Sequence, residues 1–478
     1  MLCLRAMPWT PIRRATLRAT LRAASAAALL LLALPAQAAP VEGALSLAWA
    51  APFAGLLLSI ALGPLLAEHL WHKRMGLIAA AWAGLLLLPW ALEFGPVAAA
   101  GLAWHAVLLE YLPFITLIFA LFTVGGGIVV AGGPWGTPAG NTLLLAIGTG
   151  LASLMGTTGA AMVLIHPLLR ANAHRTRKVH LVVFFILLVA NVGGSLTPLG
   201  DPPLFLGFLK GVPFFWPAVH LLAPMLVLSG LLLLAFWVID RRLAAADPPA
   251  GERPALRVTG LANIGLLVAI VALTVAGGVV PSQPVVLFGQ ELPLGRVIGM
   301  AVMTAIGLLS LWVTPRASRA ANLFSWGPFA EVAKLFVAIF VCMAPVVAML
   351  HQGEAGPFGW LVELVKGPDG KPWPLAYFWA TGALSAFLDN APTYVVFFEL
   401  AGGDPAVLTG ELARTLLAIS CGAVFMGALT YIGNAPNFMV RAIAAQRGVR
   451  MPCFLGFTAW SCALMLPPLL VVTWLFFR

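Results

Sequence analysis

Long unbroken apolar runs constrain this chain more than any other feature. Residues 49 to 66, 75 to 92, 217 to 238, 258 to 280 and 452 to 476 each approach or reach the roughly 20 apolar residues with which a helix crosses a bilayer. Of the 478 residues 61% are hydrophobic and 9% charged, against about 25% charged in an average soluble domain. A water-soluble fold of this size could not hide that much apolar surface, so the fold class is an all-α polytopic membrane protein. The net charge of +10 does not mark a nucleic-acid partner, because Lys and Arg sit in short loops between apolar runs and form no continuous basic face. Cys342, Cys421, Cys453 and Cys462 lie in or beside apolar spans without CxxC or Cys/His spacing. They read as buried small hydrophobes, with neither disulfide, metal nor cofactor.

Residues 1–38 read as a signal peptide: Arg5, Arg13, Arg14, Arg18 and Arg22 precede an apolar stretch from Ala23 to Leu34, and Ala36-Gln37-Ala38 offers the cleavage site. The expected location is a bacterial inner membrane, with the mature N-terminus periplasmic. The first half, 39–239, then begins with spans 49 to 66, 75 to 92 and 112 to 131. It continues with a hairpin at 141–170, broken at Gly156-Thr157-Thr158-Gly159 and open to the cytoplasm, and a span at 179–216 broken by Pro and Gly at 198 to 203. Residues 240–257, with three prolines, read as a cytoplasmic linker. The second half, 258–478, contains spans 258 to 280, 295 to 314 and 328 to 350. A hairpin at 374–401 follows, broken at Asp389-Asn390-Ala391-Pro392 and open to the periplasm, and then a segment 411–446 broken at Gly433 to Pro436. Most Lys and Arg beyond the signal peptide fall on the cytoplasmic side of this arrangement, as the positive-inside rule requires.

Two motifs repeat with one displacement. Leu196-Thr197-Pro198-Leu199-Gly200-Asp201-Pro202-Pro203 resembles Leu429-Thr430-Tyr431-Ile432-Gly433-Asn434-Ala435-Pro436, and the hairpin turn at Gly156 falls opposite the one at Asp389 with the same offset. With one hairpin open to each side, the halves read as inverted-topology repeats, each with a re-entrant hairpin and a broken transmembrane helix. Backbone accounting explains why the breaks matter. Gly and Pro leave N–H and C=O groups unpaired in a medium without water, which is tolerated only where they line a cavity or bind something.

Polar side chains collect at these four breaks. A carboxylate near the bilayer centre costs about 2.5 to 3.5 kcal/mol, which singles out Asp201 and Asp389. Capping a half-helix N-terminus competes with ion binding as the reason for either. Asn390, Asn434, Asn437, Asn191, Thr197 and Thr430 add side-chain oxygens suited to a small hard cation, and Thr157 and Thr158 add hydroxyls at the first hairpin tip. Singly, each is as well explained as a turn former or an interhelical hydrogen bond. Glu331 and Lys334, spaced i, i+3, read either as an interfacial ion pair or as a proton-coupling pair. His166 reads as an interfacial anchor more readily than as a titrating group.

NVGGSLTPLGDPPLFLGFLKGVPFFW (191 to 216), LSAFLDNAPTYVVFFE (384 to 399) and GALTYIGNAPNFMVRAIAAQRG (427 to 448) resemble a signature of bacterial sodium:proton antiporter-like proteins of the ion transporter superfamily. That superfamily includes NhaD-type antiporters, ArsB-type arsenite carriers, citrate/metal carriers and divalent-anion/sodium symporters. The resemblance implies a two-hairpin fold, often a homodimer, in which a scaffold carries a moving transport domain. It implies ion binding by Asp201, Asn191 and Thr197 in the first half and by Asp389, Asn390 and Asn434 in the second. The Ser-Asn-Thr tips of the symporters are replaced here by Gly-Thr-Thr-Gly and Asp-Asn-Ala-Pro. The expectation is a secondary transporter moving Na⁺ against H⁺, with a sodium- or proton-coupled carrier of citrate or another small organic anion as the alternative. No HExxH motif or nucleophile–base pair points to an enzyme.

Overall fold

The computed structural model describes residues 45–248, 254–287, 289–368 and 370–478; the expected signal peptide and part of the linker lie outside them. Among the described residues nine helices are long and apolar enough to cross a membrane. In chain order α1 is Ala51–Leu66, α2 Glu68–Phe94 and α3 Pro96–Gly125, which contains a π-helical stretch, Ala106–Tyr111. Next come α4 Pro138–Met155, α5 Thr157–Ala171, α6 Val179–Leu188, α7 Pro202–Leu209 and α8 Trp216–Ala244. The second half has α9 Leu261–Val279, α10 Leu294–Val313, the short α11 Arg316–Ala321, α12 Gly327–Leu350 and the short α13 Gly359–Leu364. It ends with α14 Pro374–Phe387, α15 Asn390–Leu400, the short α16 Pro405–Thr409, α17 Ala413–Met426, α18 Ala435–Gln446 and α19 Phe454–Phe476.

Two populations of helix separate by burial. On α2, α8 and α19 the side chains of Leu88, Leu92, Leu234, Leu470 and Trp474 stand exposed, which water would penalise and lipid does not. The chain is therefore an all-α, multi-pass membrane protein. The elements bearing the breaks lie inside that shell, and every residue from Leu181 to Ala190 is wholly buried. The two apolar helices α4 and α5 pack on each other across Gly156, and α14 packs on α15 and α17. Helix α7 lies against α15, and α18 lies against α5, so each short helix after a break rests on the opposite half.

Three expectations change. The helix expected at 112 to 131 begins at Pro96 and stops at Gly125; Val129–Ala131 forms a strand, β1, paired antiparallel with β2, Arg257–Thr259. The run Gly125-Gly126-Gly127 lacks the side chains that would continue a helix. The linker is not a loop from its start either, since α8 continues to Ala244 and Asp240 is wholly buried. All four described cysteines are free, but only Cys342 and Cys421 are buried: Cys462 on α19 is half-buried, and Cys453 is exposed because it precedes α19 instead of lying inside it. A small hairpin, Pro284–Leu287 with Gln290–Pro293, joins α9 to α10.

Candidate functional site

Each break is built from residues that only a few side chains could replace. Gly156 has φ +79°, in the region that favours glycine, and reverses the chain between α4 and α5. Gly194 and Gly200 approach so closely that a Cβ on Gly200 would lie 2.2 Å from the Gly194 carbonyl oxygen. Gly427 and Gly433 repeat the approach, at 2.6 Å, at the same offset of 233 residues. The Thr197 hydroxyl donates to the carbonyl of Ser153 and the Thr430 hydroxyl to that of Ala386, again matched pairs. These hydroxyls brace the unwound backbone and do not reach the polar cluster described next.

Asp201 is the hub of that cluster. It sits at the N-cap of α7 yet makes no capping bond to its own helix. Instead Oδ1 accepts from Thr157 Oγ1 at 3.0 Å and from Asn434 Nδ2 at 3.0 Å, and Oδ2 accepts from Asn390 Nδ2. One carboxylate thus ties the tip of the first hairpin, the tip of the second and the second broken helix to the first. Asn434 Nδ2 also donates to Asn191 Oδ1 at 3.2 Å, Asn191 Nδ2 donates to Asn437 Oδ1 at 2.8 Å, and Asn437 Nδ2 holds the carbonyls of Gly427 and Thr430. Asp201, Thr157, Asn191, Asn390, Asn434 and Asn437 are all buried. The donors to Asp201 are neutral, and no basic side chain compensates its charge within the cluster.

Asp389 plays the other role that its position allowed. Its Oδ1 accepts from the backbone N–H of Ala391 at 3.0 Å and caps α15. Half-buried, it lines a cavity together with Asp201, Thr157, Thr158, Asn434 and Phe336. The cavity has about 60 Å³ in which a water centre fits, room for roughly four to six waters. Helices α5, α7, α15 and α18 all begin here, so four N-terminal ends face the same polar cluster. The side-chain Oδ1 of Asn390 is buried beside this cluster and has no hydrogen-bond partner among the described residues.

Glu331 and Lys334 stand apart on the first turns of α12. Lys334 is exposed, with its stem over Gly76 of α2. His166 is no interfacial anchor: it is wholly buried, and its Nε2 lies 3.0 Å from the carbonyl oxygen of Asn322.

Sequence reasoning missed two further polar clusters. Asp240 on α8 pairs with Arg175, lies 2.8 Å from His180 Nε2 and accepts from Asn141 Nδ2 at 3.1 Å, while Asn141 and Asn172 bond each other at the two ends of the first hairpin. Glu399 on α15 pairs with Lys210 at 2.5 Å and with His351. An acid inside an apolar run was visible in both cases, but its partners lie 48 to 189 residues away in sequence.

Exposed apolar flanks around a polar centre made of helix breaks define a membrane protein of the transport class. The chain matches the model of the family described as "Putative citrate transport" over residues 42–477, and it belongs to that family. It is 27% identical over 337 residues to uncharacterized transporters of Mycobacterium bovis and Mycobacterium tuberculosis, an alignment covering 66% of this chain and 71% of each relative.

Proposed function

We propose that the protein is a secondary transporter in which the Asp201 cluster binds Na⁺ or protons alternately, so that Na⁺ is exchanged for H⁺. One observation carries this reading. A buried carboxylate with only neutral donors, beside a second carboxylate and the unpartnered Oδ1 of Asn390, faces a small, mostly apolar-walled cavity whose described lining includes no Lys or Arg. A buried charge without a counter-ion is strongly unfavourable, and binding a proton or a small hard cation removes the imbalance. Asp201, Asp389, Asn390 and Asn434 are the direct candidates for the cation. Asn191, Asn437, Thr157 and Thr158 orient them or supply further oxygens, and Thr197 and Thr430 hold the breaks in shape.

The reading includes inverted halves, 39–239 and 258–478, in a bacterial inner membrane, with loops 351–373 and 402–410 periplasmic, 240–257 cytoplasmic and two copies forming a homodimer. Matched breaks and the distribution of Lys and Arg support the inverted halves and their orientation, and the homodimer is what the family resemblance implies. A thiol reagent added outside intact cells is expected to label cysteines placed in the two loops and not in the linker.

A second reading, cation-coupled carriage of citrate or another small organic anion, is favoured by the four helix N-termini around the cavity and by the family description. Inverted vesicles with an imposed pH gradient separate the two. Antiport predicts that Na⁺ or Li⁺ alone collapses the gradient and that Asp201→Asn abolishes the response. Citrate uptake that needs the cation, with no response to the cation alone, would replace antiport by the second reading.

A further inference from the structure

A second cavity lies beyond the first, and its chemistry differs. It has about 180 Å³ of space, against about 60 Å³ for the first, and is lined by Glu110, Lys210, Arg296, Leu206, Phe340 and Met343. Phe114, Phe205 and Phe336 border the Asp201 cavity, and Phe114 stacks on Phe336 at 4.5 Å and meets Phe340 edge-on at 5.8 Å. The two cavities thus share an aromatic partition.

Glu110 is the group in this second cavity that nothing yet explains. It lies in the π-helical stretch of α3, a distortion common at functional positions, and among the described residues it makes no hydrogen bond or ion pair. Lys210, His105 and Glu399 are near enough to act on it electrostatically. Each of those is engaged elsewhere: Lys210 and His351 hold Glu399, and His105 Nδ1 lies 3.0 Å from Gln290 Oε1. Arg296 donates to the carbonyl of Leu209 at 3.2 Å.

Two rigid helices connect this cavity to the first. Helix α7, Pro202–Leu209, is about 12 Å long and is flanked by Asp201 at its N-cap and Lys210 at its C-cap. Helix α15 lies alongside it, with Asn390 at its start and Glu399 near its end. The pair is therefore tied at both ends, Asp201 to Asn390 at one and Lys210 to Glu399 at the other. A shift of these helices at the Asp201 cluster moves Lys210 relative to α3.

We propose that Glu110 is a second proton-binding site, and that Lys210 passes between Glu399 on α15 and ionised Glu110 on α3 as the helices move. A metal cation does not suit this cavity, because Lys210 and Arg296 share its walls. A proton does, since it neutralises Glu110 without adding a separate charge. Loading is a simple transfer: hydronium entering the cavity from the bulk gives its proton to the Glu110 carboxylate and is left as water, and Lys210 stays with Glu399. Loss of that proton to water restores the carboxylate as a partner for Lys210, and Glu399 keeps His351. Coupling of this step to transport rests on the cation-exchange reading above; the proton site itself does not.

The test uses the purified full-length protein in lipid. Infrared difference spectra between alkaline and acid buffer should show a protonated-carboxyl band that Glu110→Gln removes and whose midpoint Lys210→Met shifts. In proteoliposomes Glu110→Gln should flatten the pH dependence of Na⁺ flux while leaving the Na⁺ concentration for half-maximal rate within about twofold, and Glu110→Asp should restore it. An unchanged band and pH profile in Glu110→Gln overturn the proposal. Should Glu110→Gln fail to insert, Glu110→Asp must move the band's midpoint, and an unmoved midpoint overturns it equally. A wild-type protein that shows the band yet moves no Na⁺ retires the sodium reading and supports the proton site.

Discussion

Two buried aspartates, Asp201 at the first broken helix and Asp240 on α8, are opposites. Asp240 is paired with Arg175, touches His180 and Asn141, and locks the open end of the first hairpin to α8. Asp201 is nearly as deeply buried and just as fully hydrogen-bonded, but every partner is neutral. Burial of an acid in an apolar span therefore does not separate the two. The missing counter-charge does, and under the proposed reading it is Asp201 that takes a cation from the medium.

Neutralising each acid should give opposite outcomes, and this is the largest effect expected. Asp201→Asn should lower cation-dependent flux to that of empty vesicles while the protein inserts and unfolds thermally much as wild type. Asp240→Asn leaves Arg175 buried without its partner and should cost about 3–5 kcal/mol of stability, read from thermal unfolding in detergent, with flux per folded molecule retained. If Asp240→Asn abolishes flux at unchanged stability, the distinction fails.

The clamp can be tested further by replacing it. Arg175→Met with Asp240→Leu should recover most of the stability lost by Asp240→Asn alone, since apolar residues often substitute for a buried ion pair without cost. Persistent instability would assign the clamp a role beyond charge pairing. On the Asp201 side, Asn390→Ala should raise the Na⁺ concentration for half-maximal flux about tenfold, equivalent to the loss of one interaction of about 1.4 kcal/mol with a charged group. An unaltered value would remove Asn390 from the site. The smallest effect is expected at Lys334. Lys334→Met, outside both clusters, should leave flux unchanged and stability within about 0.5 kcal/mol, and a larger change would bring the start of α12 into the mechanism.

Membrane insertion, the positions of both hairpin breaks and the repeat at Asp201 and Asn434 were legible in the sequence, because apolar length and Gly/Pro punctuation act over a few residues. The break at Gly156 needs only a positive φ, and the turn at Asp389 only a capping carboxylate. What the sequence left open was which acid caps its own helix. Both lie at helix N-termini, and local chemistry suits either for capping. Tertiary structure decided it by turning Asp201 away from α7 toward Thr157, Asn390 and Asn434, the last two 189 and 233 residues along the chain. The partners of Asp240, Glu399 and Glu110 were hidden for the same reason. Charge compensation depends on distance in space, and in a bundle of long helices spatial neighbours are set by packing rather than by spacing along the chain.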